Sequence, residues 1–229
     1  MCGRFTLTRM KSLGPTFADL PAEFLASLPS AAPRYNIAPT QQILAFLTTG
    51  PTLLRWGLIP FWAKDTKIAS SLINARSETA PQKPAFRDAF AKRRCLIPAD
   101  GFYEWRKNRN GSKTPLYIRK KDRSLFVFAG LYDSWKSPAG EVLRTCTILT
   151  TSANALMAPI HERMPVILNE CDYHRWLDTD RFPPNEAVTL LVPCAPDSLE
   201  AYPVSPRVNT PKNDSSDLIV PEPEGFVLT

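Results

Sequence analysis

The chain reads as an α+β protein in which strands outnumber helices, and three observations lead there. Short runs rich in Val, Ile, Leu, Thr and aromatic residues recur along the sequence, most of them closed by Pro, Gly, Asn or Asp, whereas helical spacing of apolar residues occurs in few places. There is no strand–helix–strand alternation and no G-x-G-x-x-G stretch, which argues against a dinucleotide-binding fold. The 229 residues are 44% hydrophobic and 22% charged, enough for one domain with a sizeable core and without the composition of a disordered chain. A single domain over 1–229 is expected, with 202–229 as a Pro/Asn-rich C-terminal segment.

Taken in order, residues 15–28 carry Phe17, Leu20, Phe24, Leu25 and Leu28 at helical spacing, with Pro15 tolerated near the start. Residues 34–40 read as a loop, since Asn36 favours a turn and Pro33 and Pro39 cannot donate to a ladder. Strands are expected at 42–47 and 53–56 around a turn at 48–51. The stretch Gly57-Leu58-Ile59-Pro60-Phe61-Trp62-Ala63-Lys64 is an apolar and aromatic loop beside Lys64 and Lys67. It suits either a core plug or a surface on which bases stack while the cations meet phosphates.

Asn74–Thr79 is a polar island at an element boundary, and 85–94 reads as a basic amphipathic helix with Phe86, Ala89 and Phe90 inward. Cys95-Leu96-Ile97 leads into a turn at 98–101, and Phe102–Trp105 leaves it extended. A period of two then sets Phe102 and Glu104 on one face, Tyr103 and Trp105 on the other. Further strands are expected at 115–119, 125–132, 143–150, 164–168 and 187–193, with a short helix over 170–177 capped by Asn169. From Tyr202 onward Pro, Asn, Asp and Ser dominate, so the segment either wraps over the domain or hangs loose.

The five cysteines, at 2, 95, 146, 171 and 194, form no C-x-x-C pair and fit a reducing compartment better than a disulfide framework. With no apolar leader behind the N-terminus and no apolar run long enough to cross a bilayer, a cytoplasmic protein is expected. The formal net charge of +6 makes a polyanionic partner reasonable. No metal-ligand constellation, G-x-S-x-G or P-loop is present.

Cys2 directs attention to the N-terminus. Its small side chain permits removal of Met1, which would leave a cysteine with both a free α-amine and a thiol. These groups titrate near about 8 and about 8.5, so both are partly nucleophilic at neutral pH. Toward an aldehyde the amine forms an imine and the thiol closes on the same carbon to give a thiazolidine, which an internal cysteine cannot do. Candidate helpers are Glu104, a carboxylate among aromatic residues, and His161, at a loop-to-strand junction. An N-terminal-nucleophile hydrolase, with the α-amine as base to the thiol, stays open as an alternative, as does a non-covalent single-strand binder.

The motifs MCGR at 1–4, RYNIAPTQ at 34–41, RWGLIPFWAKD at 55–65, NARSET at 74–79, FRDAFAKRRCLIPADGFYEW at 86–105, TCTILTTSAN at 145–154 and HERMPVIL at 161–168 occur in the order seen in one family. The chain resembles the SRAP (SOS response-associated peptidase) family of abasic-site processing proteins. The resemblance implies a compact α+β domain built on barrel-like, mostly antiparallel sheets. It also implies covalent capture of abasic sites in single-stranded DNA through Cys2, with Asn74 orienting the amine, Glu104 shuttling protons and His161 assisting opening of the sugar ring.

By the same resemblance Arg4, Arg76 and Arg163 contact phosphates or the site, Phe61 and Trp62 wedge or stack against bases, and Asn36 and Pro39 belong to the DNA-binding surface. A weak lyase activity, adduct reversal, self-removal of Met1, a monomer acting at the nucleoid, and no cofactor or metal complete the expectation. Tyr132 departs from the family pattern, where many members carry Trp.

Overall fold

The computed structural model describes residues 2–9, 13, 32–223 and 228; the helix expected at 15–28 lies outside them. Five strands close into a ring: β3 (Gln42–Leu47), β4 (Gly50–Trp56), β10 (Val142–Ser152), β9 (Phe126–Lys136) and β6 (Arg94–Ala99), which pairs back to β3. Phe46, Trp56, Phe128, Cys95, Cys146 and Ile148 of these strands are all fully buried. A closed ring leaves no unpaired strand edge between its members, so the long apolar runs of β9 and β10 are covered on both sides.

Against this barrel lies an open five-stranded sheet in the order β13 (Leu199–Pro203), β8 (Lys113–Lys120), β7 (Gly101–Lys107), β1 (Arg4–Leu7) and β2 (Arg34–Ile37). The two layers join through aromatic edges. Phe5 of β1 meets Trp56 at 5.3 Å and Phe128 at 5.8 Å between ring centroids, and Phe102 of β7 meets Phe126 and Phe128. The period-two reading of 102–105 holds: Phe102 joins the main core, while Tyr103 and Trp105 pack into a second cluster with Tyr117, Tyr202, Val208 and Leu218.

Several expectations are corrected by long-range pairing. Residues 34–37 are strand rather than loop, because β1 pairs with them (Phe5↔Ile37, Leu7↔Arg34) and both prolines fall outside the paired stretch. The turn at 48–51 shrinks, since Gly50 and Pro51 already pair with Leu47 and Phe46. The 98–101 turn does not fold a hairpin; β6 and β7 belong to different sheets, and Asp100 is the corner between them. Gly101 is required there, because a Cβ would lie 2.1 Å from the Tyr117 ring.

The sheets are not wholly antiparallel: β10 runs parallel to β4 and to β5 (Asn74–Arg76). The 164–168 strand divides at Val166 into β11 (Arg163–Pro165) on β10 and β12 (Ile167–Leu168) on β9. At 187–193 helical turns replace the strand, with α3 (Pro184–Ala187) started by Pro184 and a 3-10 turn over Val188–Leu190. The basic helix spans α1 (Arg87–Lys92), and Arg94 already opens β6. The 170–177 helix is a 3-10 turn followed by α2 (Tyr173–Leu177), and Asn169 stands at the cap without a side-chain cap bond. The C-terminal segment wraps, with Val208 and Leu218 fully buried. Among the described residues no helix is long and apolar enough to cross a membrane.

Candidate active site at the N-terminus

β1 sits on β7 with Arg4 opposite Tyr103 and Phe5 opposite Phe102. Cys2 lies just ahead of β1 and joins the main core with Phe5. Cys2 is fully buried, and its thiol donates a long hydrogen bond of 3.9 Å to the Arg4 carbonyl. Burial pushes the thiol well above its ordinary pKa and the negative charge of Glu104 pushes it further, opposed by the positive amino terminus and a backbone hydrogen bond from Arg4. Glu104 is 2% exposed, so its field on Cys2 is little screened by water.

Asn74 comes from the barrel side. β5 is held on β10 by Ile148↔Asn74, and the preceding Ile73 carbonyl accepts from Trp56 Nε1 at 2.8 Å and from the Ile148 amide at 3.1 Å. From this anchored backbone Asn74 Nδ2 donates to the Cys2 carbonyl at 2.8 Å. Its Oδ1 is buried with no hydrogen-bond partner among the described residues, so this side chain keeps one unused acceptor.

His161 ends a tight turn. Asn154 Oδ1 accepts from the Met157 amide at 3.0 Å, the Met157 carbonyl accepts from the His161 amide at 2.9 Å, and His161 Nδ1 accepts from the Arg163 amide at 3.0 Å. With Nδ1 as acceptor, the neutral ring carries its proton on Nε2. Nothing in the sequence pattern singled out Asn154 as the residue that shapes this turn.

The arginines are used unequally. Arg76 is exposed two residues beyond Asn74 on the same strand. Arg163 forks onto Glu78 at 2.6 and 2.8 Å and donates to the Thr150 carbonyl at 2.5 Å, leaving its side chain 12% exposed. Glu78 is correspondingly held below the usual carboxylate range by that bond. Arg4 donates to Asn36 Oδ1 at 2.8 Å and to the Val208 and Asn209 carbonyls, while Asn36 Nδ2 reaches the carbonyls of Val208, Thr210 and Asn213. Both therefore fasten the C-terminal segment beside Cys2. Pro39 is half-buried in the turn before β3, where Thr40 takes a φ of 73° and donates to the Trp56 carbonyl.

The loop after β4 divides between the two readings its sequence allowed. Leu58 and Ile59 are buried, yet Phe61 and Trp62 are 55% and 48% exposed. The backbone is pinned beneath them: Ile59 N donates to Thr145 Oγ1, Phe61 N to Asp133 Oδ2, and Trp135 Nε1 to the Ala63 carbonyl. Asp133 is buried and paired with Arg93 at 3.2 Å. Its only signal in the sequence is a lone acid just after the apolar run 125–132. Among the described residues no group of three His, Cys, Asp or Glu side chains is placed to hold a metal.

Fold and site together define a small barrel protein with a buried N-terminal cysteine held between an amide and a carboxylate. The chain belongs to the SOS response associated peptidase (SRAP) family, whose model matches residues 1–211. It is 47% identical over 227 residues to the abasic site processing protein YoqW of Bacillus subtilis, covering 96% of this chain and 99% of that one. It is 35% identical over 192 residues to the abasic site processing protein HMCES of Gallus gallus, covering 73% of this chain and 56% of that one. A crystal structure of a protein from Bacteroides thetaiotaomicron superposes with a TM-score of 0.83 at 27% identity, covering 96% of this chain and all of that one.

Proposed function

We propose that this protein processes abasic sites in single-stranded DNA by capturing the ring-opened sugar as a thiazolidine on Cys2. Removal of Met1 by hydrolysis frees the α-amine, which adds to the sugar aldehyde to give a carbinolamine. Glu104 supplies the proton with which the hydroxyl departs as water, leaving an imine. The Cys2 sulfur then adds to the imine carbon and its proton passes to the nitrogen, so amine, thiol and aldehyde become one five-membered ring with loss of one water. His161 Nε2–H assists the prior opening of the sugar ring.

The observation that carries this reading is the Asn74 amide. Its nitrogen holds the Cys2 carbonyl at 2.8 Å, and its oxygen is buried and unused. A freed α-amine on Cys2 is the donor that oxygen lacks, and accepting from it would aim the amine lone pair at the aldehyde carbon. Exposed Phe61 and Trp62 stack on neighbouring bases and Arg76 meets phosphate, with Arg4, Asn36, Pro39 and Arg163 lining the approach. The protein acts as a monomer at the nucleoid without cofactor. The imine stage accounts for a weak lyase activity and for reversal, and Met1 departs by self-processing.

Intact mass tests the reading. Purified protein should begin at Cys2 and, with an abasic oligonucleotide, gain the oligonucleotide mass less one water; Cys2→Ala should gain nothing. A covalent product in Cys2→Ala, or ammonia released from glutamine by the unmodified protein, would overturn it.

A further inference from the structure

From Trp105 to Lys121 the chain carries Arg106, Lys107, Arg109, Lys113, Arg119, Lys120 and Lys121 and no acidic residue. Four of these, from Arg106 to Lys113, gather at the tip of the β7–β8 hairpin. Register sets Lys107 directly opposite Lys113, and like charges facing each other across an antiparallel pair destabilise it. The side chains of Lys107, Arg109 and Lys113 are exposed and make no hydrogen bond or ion pair among the described residues. Among the described residues no acidic side chain pairs with Lys107, Arg109 or Lys113.

The tip is nonetheless well formed. Asn108 Nδ2 donates to Ser112 Oγ and Thr114 Oγ1, both at 2.9 Å, Asn110 Oδ1 accepts from the Ser112 amide at 3.0 Å, and Gly111 turns the chain at a φ of 82°. Its place relative to the site follows from the strands. β1 leads toward Cys2 along β7 in the direction of the tip, and at about 3.3 Å per residue Lys107 stands about 10 Å beyond Glu104. An ordered arm carrying three exposed cations thus extends beyond the N-terminal site.

We propose that the β7–β8 hairpin tip is a separate phosphate-backbone surface, holding nucleic acid several nucleotides away from the residue that reacts. The assignment rests on the reading of the protein as a DNA-processing one, and goes beyond it by locating a contact outside the pocket. The ligand chemistry is the phosphodiester backbone, contributed by either a single-stranded extension or a flanking duplex. Because phosphate contacts carry no sequence information, the arm adds affinity and orientation without base preference.

The test uses the full chain with Lys107→Gln, Arg109→Gln and Lys113→Gln combined. Binding of an undamaged oligonucleotide of about 30 nucleotides is measured across salt concentrations, in single-stranded form and with one half made duplex. Losing three phosphate contacts should flatten the slope of log K against log salt by about 2 on single strands and about 3 where the arm meets duplex, whichever substrate changes identifying the source. Covalent capture on an abasic oligonucleotide of about five nucleotides should be unchanged, which also shows that the variant is folded. An unaltered slope on both long substrates would overturn the proposal, as would equal loss of capture on the short one. Failure of the unmodified protein to form any covalent product, with the slope change intact, would instead sink the thiazolidine reading and leave the arm standing.

Discussion

Cys146 in the barrel and Cys2 in the open sheet are both fully buried thiols, yet their surroundings differ. The Cys146 thiol is pushed up by burial alone, whereas at Cys2 the charge of Glu104 adds to burial and the amino terminus opposes it. The same contrast extends across the two layers. The barrel strands bury Phe46, Trp56, Leu96, Phe128 and Ile148, so most of their stability rests on apolar area and dispersion, alongside the buried Arg94, Asp133 and Thr145. The sheet buries Thr6, Asn36, Asp100, Glu104 and Tyr117, and nearly every bond they make orders a polar group. Cys2 lies at the seam, taking Asn74 from the barrel and Glu104 from the sheet. The division teaches that the site needs both layers, an anchored amide from one and a buried carboxylate from the other.

That comparison breaks most visibly in the barrel. Phe128→Ala removes a ring packed on Phe5, Phe102 and Phe126 and should cost about 3–5 kcal/mol, read as a lower denaturant midpoint. At the sheet corner, Asp100→Ala strands the Thr8 and Arg9 amides and the Thr8 hydroxyl and removes one partner of the Thr6 hydroxyl, and should cost about 2–3 kcal/mol. If the sheet variant proved the more damaging, the assignment of stability to the barrel would be wrong.

Smaller effects sharpen the contrast. In protein retaining Met1, Glu104→Gln removes a negative charge that disfavours the Cys2 thiolate. Alkylation of Cys2 should therefore speed up, by less than about tenfold, and its half-maximal pH should fall; Cys146 should show no change. In protein prepared to begin at Cys2, the proposed chemistry predicts that the same substitution slows covalent capture while leaving affinity for undamaged strands nearly unaltered. Smallest in stability is Phe61→Ala, within about 0.5 kcal/mol because the ring is over half exposed, while affinity for single strands should drop by about 1–3 kcal/mol.

Much of the fold was legible where apolar runs are long. The β3 boundaries coincide with the expected 42–47, and β9 and β10 extend the expected strands by a few residues. β2 was not legible, because four residues between two prolines become strand only when β1 pairs with them. The apolar stretch near 187–193 misled for the opposite reason: Val188 and Val192 face solvent, so no layer exists to pair with a strand there. The parallel run of β5 beside β10 has no local signal, since pairing direction depends on the path of the chain between them.

By itself the sequence determined the chemical inventory: a cysteine at position 2, a carboxylate among aromatic residues, an amide at the edge of a polar island, and the strand runs that carry them. Only the tertiary structure decided that residue 74 would hold residue 2 by a hydrogen bond and that residue 104 would act on its thiol. The reason is that local propensity fixes the conformation of a few neighbouring residues, while the register between β1 and β7 and the attachment of β5 to β10 arise from closing the barrel and stacking the second sheet against it.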